Sequence, residues 1–269
     1  MAIYIDGISS DTVFLTVEKY PARRLPKKKY EIISIPGRNG DLILDDGGYE
    51  SYTQIYDVFV SAEKAGTNMA KAVNGVNSWL YRSRRGFVEL SDDYDKDVYR
   101  LAYFAGGNDV SNIFDRHGRA SLEFLCKPQR FATAGRTFIE SSETEEVSIN
   151  CNPPIGGGYS MPAKPVIRLY PCTSGLCLTL KISGNIVNTI KIMAASAIRS
   201  LSYIVIDSER MLIYGVAANG AKMNINPFIH TFDGFPELTY GSGTFTYGPM
   251  SGTTSDTFKM AVQPNWWTI

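Results

Sequence analysis

Apolar and polar residues alternate with a period of two along most of the chain, and the pattern is densest over residues 30–60, YEIISIPGRNGDLILDDGGYESYTQIYDVFV. This stretch reads as three antiparallel strands broken at 36–40 and 45–48, because Asn39-Gly40 and Asp46-Gly47 readily accept positive φ and are flanked by alternating apolar residues. Upstream, Ile3 and Ile5, then Val13, Leu15 and Val17, alternate around Asp-Gly and Ser-Ser-Asp turns and predict an opening hairpin. One stretch changes period. Met69, Val73, Val76 and Leu80 form a single helical stripe, predicting a helix over 67–81 capped by Thr67 or Asn68 and closed by the basic run 82–85 and Gly86. Strands are expected next over 86–90, 98–104 and 119–126. The amino-terminal part thus reads as a β-rich α+β domain with one main helix.

Beyond residue 160 no helical period recurs. Short strand signals at 165–170, 177–183, 185–193, 202–206, 211–216, 223–226, 243–247 and 257–262, separated by Gly, Asn and Ser turns, predict an antiparallel β-sandwich. Between the halves lie the acidic ESSETEE (140–146) and the Pro/Gly-dense CNPPIGGGY (151–159). The expected organisation is therefore mainly β: a domain over 1–135, a flexible linker over 136–160 and a sandwich over 161–269.

Charge narrows the partners. The 269 residues carry 27 Lys+Arg and 27 Asp+Glu, so no net charge draws the protein to nucleic acid or an anionic membrane. Nine residues of each sign lie from Arg136 onward, which leaves the second half a largely neutral, hydroxyl-rich surface. The basic cluster Arg23, Arg24, Lys27, Lys28 and Lys29 is broken by Pro21 and Pro26 and reads as a loop, solvated or facing an acidic neighbour. No run approaches the roughly 18 apolar residues of a membrane span, and the start lacks signal-peptide features, so assembly in a cytoplasm is expected. Cys126, Cys151, Cys172 and Cys177 are expected as thiols, with a Cys172–Cys177 disulfide as the alternative.

Candidate chemistry is sparse. Asp93, Asp95 and Asp97 start like a calcium loop, but Val98 and Phe104 stand where Gly and Glu are needed, so no metal is expected. His117 and His230 lack a nucleophile motif, and the triple Gly at 156–158 lacks the strand and helix of a nucleotide site. No catalytic residue, cofactor or metal ligand is assigned. Trp266-Trp267 reads first as a core pair, one ring inside and one at the rim, and second as a sugar-stacking platform.

Taken in order, PGRNGDL with YESYTQIYDVFV, NSWLYRSRRGFVELSDDYDKDVYRLAYF, LEFLCKPQRF, YSMPAKPVIRLY, YIVIDSERMLIYG, FPELTYGSGTFTYG and VQPNWWTI resemble the distal tail protein (Dit) family of long-tailed phages that infect Gram-positive bacteria, also found in prophages. The resemblance implies a split-barrel-like amino-terminal domain that closes into a homohexameric ring and a galectin-like carboxy-terminal sandwich. It further implies a hub at the virion tail tip or baseplate, between the tail tube protein and the tail-associated tip protein, with receptor-binding proteins on the outer domains of some phages. No catalysis is implied. Subunit-interface residues are expected at the hairpin tips, Arg38, Asn39, Gly40, Asp45 and Asp46. The alternative function is a carbohydrate-binding or lectin-like adhesion module, with Trp266 and Trp267 as sugar contacts.

Overall fold

The computed structural model describes residues 1–82, 86–104, 106, 111–113 (backbone only), 116–155, 158–159 and 161–269. The chain divides into two units, Met1–Arg130 with Ile269, and Phe131–Thr268.

The first unit is a half-barrel sheet with one main helix. In chain order its strands are β1 (Ile3–Ile5), β2 (Ile8–Ser9), β3 (Leu15–Val17), β4 (Lys28–Ile33), β5 (Leu42–Tyr49), β6 (Tyr52–Ser61), β7 (Val88–Asp92), β8 (Val98–Phe104), β9 (Ser111–Ile113) and β10 (His117–Ala132), whose last two residues pass into the second unit. The main sheet runs β2-β1-β7-β8-β10-β6-β3. Its inner face presents Ile3, Tyr56, Val58, Leu90 and Phe124 to the helix α1 (Met69–Leu80), which buries Met69, Ala72, Val76, Trp79 and Leu80. Asn68 caps α1 by accepting a hydrogen bond from Lys71 N (3.0 Å), as its sequence position predicts. Residues 83–85 of the expected closing run lie outside the described residues.

The region over 30–60 is not one meander. β6 joins the main sheet, pairing with β10 from Tyr52↔Cys126 to Ser61↔His117, whereas β4 and β5 form a separate two-stranded sheet. Alternation alone predicts strands but not which sheet each strand enters. Asp46-Gly47 lies inside β5 rather than at a turn. Gly47 takes φ +69° where the β4–β5 register slips between Lys28 and Tyr30, so the positive-φ signal marked a bulge.

A buried polar knot ties the sheet together. Tyr56 Oη on β6 donates to Asp92 Oδ2 on β7 (2.7 Å), and Arg100 on β8 lies 3.4 Å from the same oxygen, with both ionic side chains almost fully buried. Asp92 Oδ1 accepts the backbone N–H groups of Tyr94 (3.1 Å) and Asp95 (3.0 Å), folding the β7–β8 turn. Asp95 pairs with Arg130 and Arg23, and Asp93 accepts from Ala2 N and Tyr4 Oη. The acidic run is therefore a brace for the turn.

The second unit is a sandwich. One sheet orders β11 (Ile139–Thr144), β21 (Thr257–Gln263), β13 (Val166–Tyr170), β16 (Leu201–Asp207), β17 (Leu212–Ala217) and β18 (Lys222–Asn224). The other orders β12 (Val147–Cys151), β20 (Gly243–Pro249), β14 (Leu176–Ile182), β15 (Asn185–Ile192) and β19 (Ile229–Phe232). A single turn of helix, α2 (Ser196–Arg199), and the two-residue β22 (Trp267–Thr268) complete it. Ile167, Leu169, Ile204, Phe258 and Met260 from the first sheet and Ile149, Leu178, Leu180, Phe245 and Tyr247 from the second are buried. All eight expected strands are present to within a residue or two. The expected linker over 136–160 is corrected, because β11 and β12 fill its first part as one strand of each sheet. β11 is an edge strand, IESSET, with almost no apolar signal, and the Val147, Ile149, Cys151 alternation of β12 is short and set among polar residues. Residues 156–157 and 160 of the expected joint lie outside the described residues, while Tyr159 is buried.

Replacing Asp92 by Ala leaves a buried guanidinium unpaired and should cost about 3–5 kcal/mol. Tyr56→Phe should cost only about 1 kcal/mol. Urea unfolding followed by fluorescence tests both, and equal losses would refute the ranking. In the second unit the Asp256 carboxylate accepts from Thr173 Oγ1, Ser174 Oγ and Ser174 N at 2.6–3.0 Å, which holds it below the usual carboxylate range. Its contribution is complete above about pH 4 and is lost as pH falls through the depressed folded-state value. Thermal melts should therefore show Asp256→Asn destabilised at neutral pH, with the gap closing in acid.

Candidate interaction surface

The β4–β5 hairpin is the feature that the rest of the first unit does not explain. Its register pairs Tyr30↔Asp45, Glu31↔Leu44, Ile32↔Ile43 and Ile33↔Leu42. Directly paired residues share a face, so Tyr30, Ile32 and Ile43 crowd one side while Leu44, Ile33 and Leu42 occupy the other. Tyr30 is 54% exposed, Ile32 56%, Ile43 64% and Leu44 43%. Among the described residues β4 and β5 pair only with each other, and most of their side chains are exposed. An isolated two-stranded ribbon is at best marginal in water, and a contiguous apolar patch on an ordered element marks a surface for a partner.

The expected tip residues separate into two places. Arg38, Asn39 and Gly40 sit in the exposed loop over 34–41, where Gly37 and Gly40 take positive φ and Arg38 N donates to Ile35 O (3.2 Å). Asp45 and Asp46 lie on the stem instead, because the second Asp-Gly is a bulge. Asp45 forms an ion pair with Lys28 and accepts Gly47 N (2.9 Å), while Asp46 is exposed. The basic loop is partly used within its own unit. Arg23 pairs with Asp95 (3.2 Å) and lies 5.7 Å from the Tyr94 ring centroid, which leaves Arg24, Lys27 and Lys29 on the exposed surface. The apolar residues that make the hairpin notable were visible in the sequence as strand formers, but their exposure was not.

The remaining candidates resolve into structure. Trp266 is 5% exposed and its indole N–H donates to Gly241 O (2.6 Å), so its ring is core. Gly241 has φ +72°, and a Cβ there would lie 2.5 Å from Tyr159 O, so only glycine fits that contact. Trp267 is half-buried at the rim, donating to Pro162 O (2.9 Å). His117 starts β10, stacked on Phe59 (5.2 Å) and 3.6 Å from Glu63. His230 is exposed on β19, its ring beside Thr231 Oγ1 (3.0 Å). All four cysteines are free thiols, which corrects the disulfide alternative for Cys172 and Cys177. Burial pushes Cys126 up to about 11 and Cys151 up to about 12, so both stay protonated and unreactive at neutral pH. Among the described residues no group of three His, Cys, Asp or Glu side chains is placed to hold a metal, and no helix is long and apolar enough to cross a membrane.

A hairpin without a covering layer should be labile unless it is docked. Hydrogen exchange should find the β4–β5 amides fast in dilute, dissociated protein and slowed at high concentration, while the β6–β10 amides stay protected throughout. Concentration-independent protection of β4–β5 would refute this.

No protein-family model matches the sequence, and none of the curated proteins matches it. Among solved structures the chain is similar to the Dit protein (gp 19.1) of phage SPP1, described as a paradigm of the hub adsorption apparatus in phages infecting Gram-positive bacteria. The TM-score is 0.67 at 13% identity, over 100% of this chain and 99% of that one. The fold is thus shared along the whole length, half-barrel and sandwich alike, although few residues are identical. The chain has the Dit fold that the resemblance in its sequence implied.

Proposed function

We propose that this protein is the structural hub of a phage or prophage tail tip or baseplate. In this reading it forms a homohexameric ring that joins the tail tube protein to the tail-associated tip protein, and its outer sandwich is available to receptor-binding proteins. The observation that carries the reading is the uncovered hairpin, and the full-length fold similarity to a phage adsorption hub supports it.

A closed ring is built from heterologous contacts, so each subunit offers two different patches. The hairpin supplies one of them. Tyr30, Ile32, Ile43 and Leu44 provide its apolar surface, Arg38, Asn39 and Gly40 its tip, and Asp45 and Asp46 a charged margin that fixes register. Burying such a side chain fully is worth about 1.5–3 kcal/mol, and roughly half of that is still to be gained at each of the four. About 4 kcal/mol per hairpin corresponds to a dissociation constant of only about 1 mM. One hairpin therefore cannot hold a pair of subunits, and closure of the ring and the second patch must supply the rest.

Light-scattering mass in solution should approach six times 29.8 kDa at high concentration, with six-fold rings in negative stain. A monomer at every concentration tested would overturn the ring. The double variant Ile32→Lys/Ile43→Lys should remain folded, since neither side chain feeds the core, yet fail to assemble. Rings formed by that variant would remove the hairpin from the interface while leaving the hub reading standing.

A further inference from the structure

The buried polar knot of the first unit holds more positive charge than it neutralises. Arg100 on β8 has its side chain only 5% exposed, yet its ion pair is a 3.4 Å contact to Asp92 Oδ2, an oxygen already taken by Tyr56 Oη at 2.7 Å. Arg130 on β10, its side chain 11% exposed, pairs with Asp95, and Arg23 reaches the same carboxylate oxygen from the rim. Three guanidinium groups therefore meet two carboxylates, since the next acid, Asp93, is turned to Ala2 N and Tyr4 Oη. In this cluster Arg100 Nε, Arg130 Nε and Tyr52 Oη are buried without a hydrogen-bond partner among the described residues. Buried polar atoms are nearly always satisfied, so each calls for an explanation.

Strand alternation puts the three side chains on one face. Tyr52 shares a face of β6 with Tyr56, Arg100 shares one of β8 with the buried Ala102, and Arg130 follows Cys126 by an even number of residues on β10. Tyr52 pairs directly with Cys126. The two arginines are held close because the Asp95 N–H donates to Asp92 Oδ1 (3.0 Å), which couples their carboxylates. Their like charges are felt, since burial and the neighbouring Arg100 push the Arg130 guanidinium below its usual value. Tyr52 also lies beside Arg100. Burial raises its phenol, and the Arg100 charge draws it part of the way back.

We propose that Arg100 Nε, Arg130 Nε and Tyr52 Oη together bind a small monovalent inorganic anion, of the size of a halide, on the inner face of the main sheet. An anion accepts from every donor that faces it, whereas a water molecule must also find acceptors for its own two protons. The neighbouring acceptors are committed. Asp92 Oδ2 takes Tyr56 and Arg100, Asp92 Oδ1 takes the Tyr94 and Asp95 N–H groups, and Asp95 Oδ2 takes Arg130 and Arg23. One negative charge matches the surplus guanidinium, and placed between like charges it relieves a repulsion that low dielectric strengthens. A doubly charged sulfate or phosphate overshoots that balance. Arg100 and Tyr52 lie too deep for a carboxylate on a partner chain to reach them. The site lies entirely within the first unit and does not rest on the hub reading.

The test melts the full-length protein at constant ionic strength while gluconate, too bulky to enter the site, is exchanged for chloride or bromide. Melting temperature should rise with halide concentration, as binding to the native state alone requires. Tyr52→Phe, which removes the hydroxyl and keeps the ring, should weaken the fitted halide affinity about tenfold. Arg130→Lys, which keeps the charge and loses the Nε–H donor, should do the same; if it fails to fold, Tyr52→Phe carries the comparison alone. Arg24→Gln, which removes an exposed charge, should respond as wild type. Bromide-soaked crystals should show an anomalous peak between Arg100 and Arg130. A melting temperature indifferent to halide, a response that Tyr52→Phe and Arg130→Lys leave unchanged, or ordered water with no anomalous signal at the site would overturn the assignment. Ring mass is read independently, so failure here leaves the hub reading untouched.

Discussion

A two-stranded ribbon cannot bury enough of itself to be stable in water. In the β4–β5 hairpin both faces carry large apolar side chains, from Tyr30, Ile32 and Ile43 on one to Leu44 on the other, and these remain exposed among the described residues. The ribbon nevertheless pairs in unbroken register from Tyr30↔Asp45 to Ile33↔Leu42, with one bulge between Lys28 and Tyr30. A sequence that keeps β-branched and aromatic residues on both faces of an uncovered ribbon is under a constraint that its own core does not impose. A partner surface would satisfy that constraint, which is why the proposed hub reading rests on the hairpin rather than on any reactive group.

The segment leading into the arm is tied to a buried polar knot of the main sheet. Asp92 links β6, β7 and β8 through Tyr56, Arg100 and two turn amides, and the same turn reaches Arg23 in the segment leading to β4 through Asp95. Burial and the Asp92 charge hold the Tyr56 phenol far above its usual range, so it remains a donor at any ordinary pH. Buried ionic knots contribute little net stability compared with an apolar replacement, but removing one partner is severe. The knot therefore specifies which strands meet rather than how tightly the core packs. In the sandwich the corresponding work falls to Trp266 against Gly241 and to Tyr247, whose hydroxyl donates to Tyr170 O (2.9 Å).

Protonated thiols, an exposed histidine on β19 and a histidine stacked on Phe59 offer no nucleophile and base pair, whereas rows of Ser, Thr and Asn on one sheet face offer many weak, additive hydrogen bonds. The exposed apolar arm of the first unit and the hydroxyl rows of the sandwich are thus surfaces of different character. The neutral charge of the second half, visible in composition, is consistent with the second of these.

Much was legible in the sequence because period is a local property. The helix over Met69–Leu80, its Asn68 cap and the eight strand signals of the second half follow from spacing that each segment carries by itself. The resemblance to distal tail proteins likewise rested on ordered short patterns, and the shared fold agrees with it. What spacing could not convey was partnership. That β6 leaves β5 to pair with β10, that ESSET serves as an edge strand and not a linker, and that Asp46-Gly47 forms a bulge depend on which segments find each other across long sequence distances. Exposure is decided the same way. Ile32 and Val58 are both strand residues, yet one is more than half exposed and the other is buried, because only the tertiary structure determines whether a second layer lies over them. The hydroxyl rows belong to this class too: Ser148, Thr246, Thr179 and Thr189 stand far apart along the chain and become one surface only when four strands align.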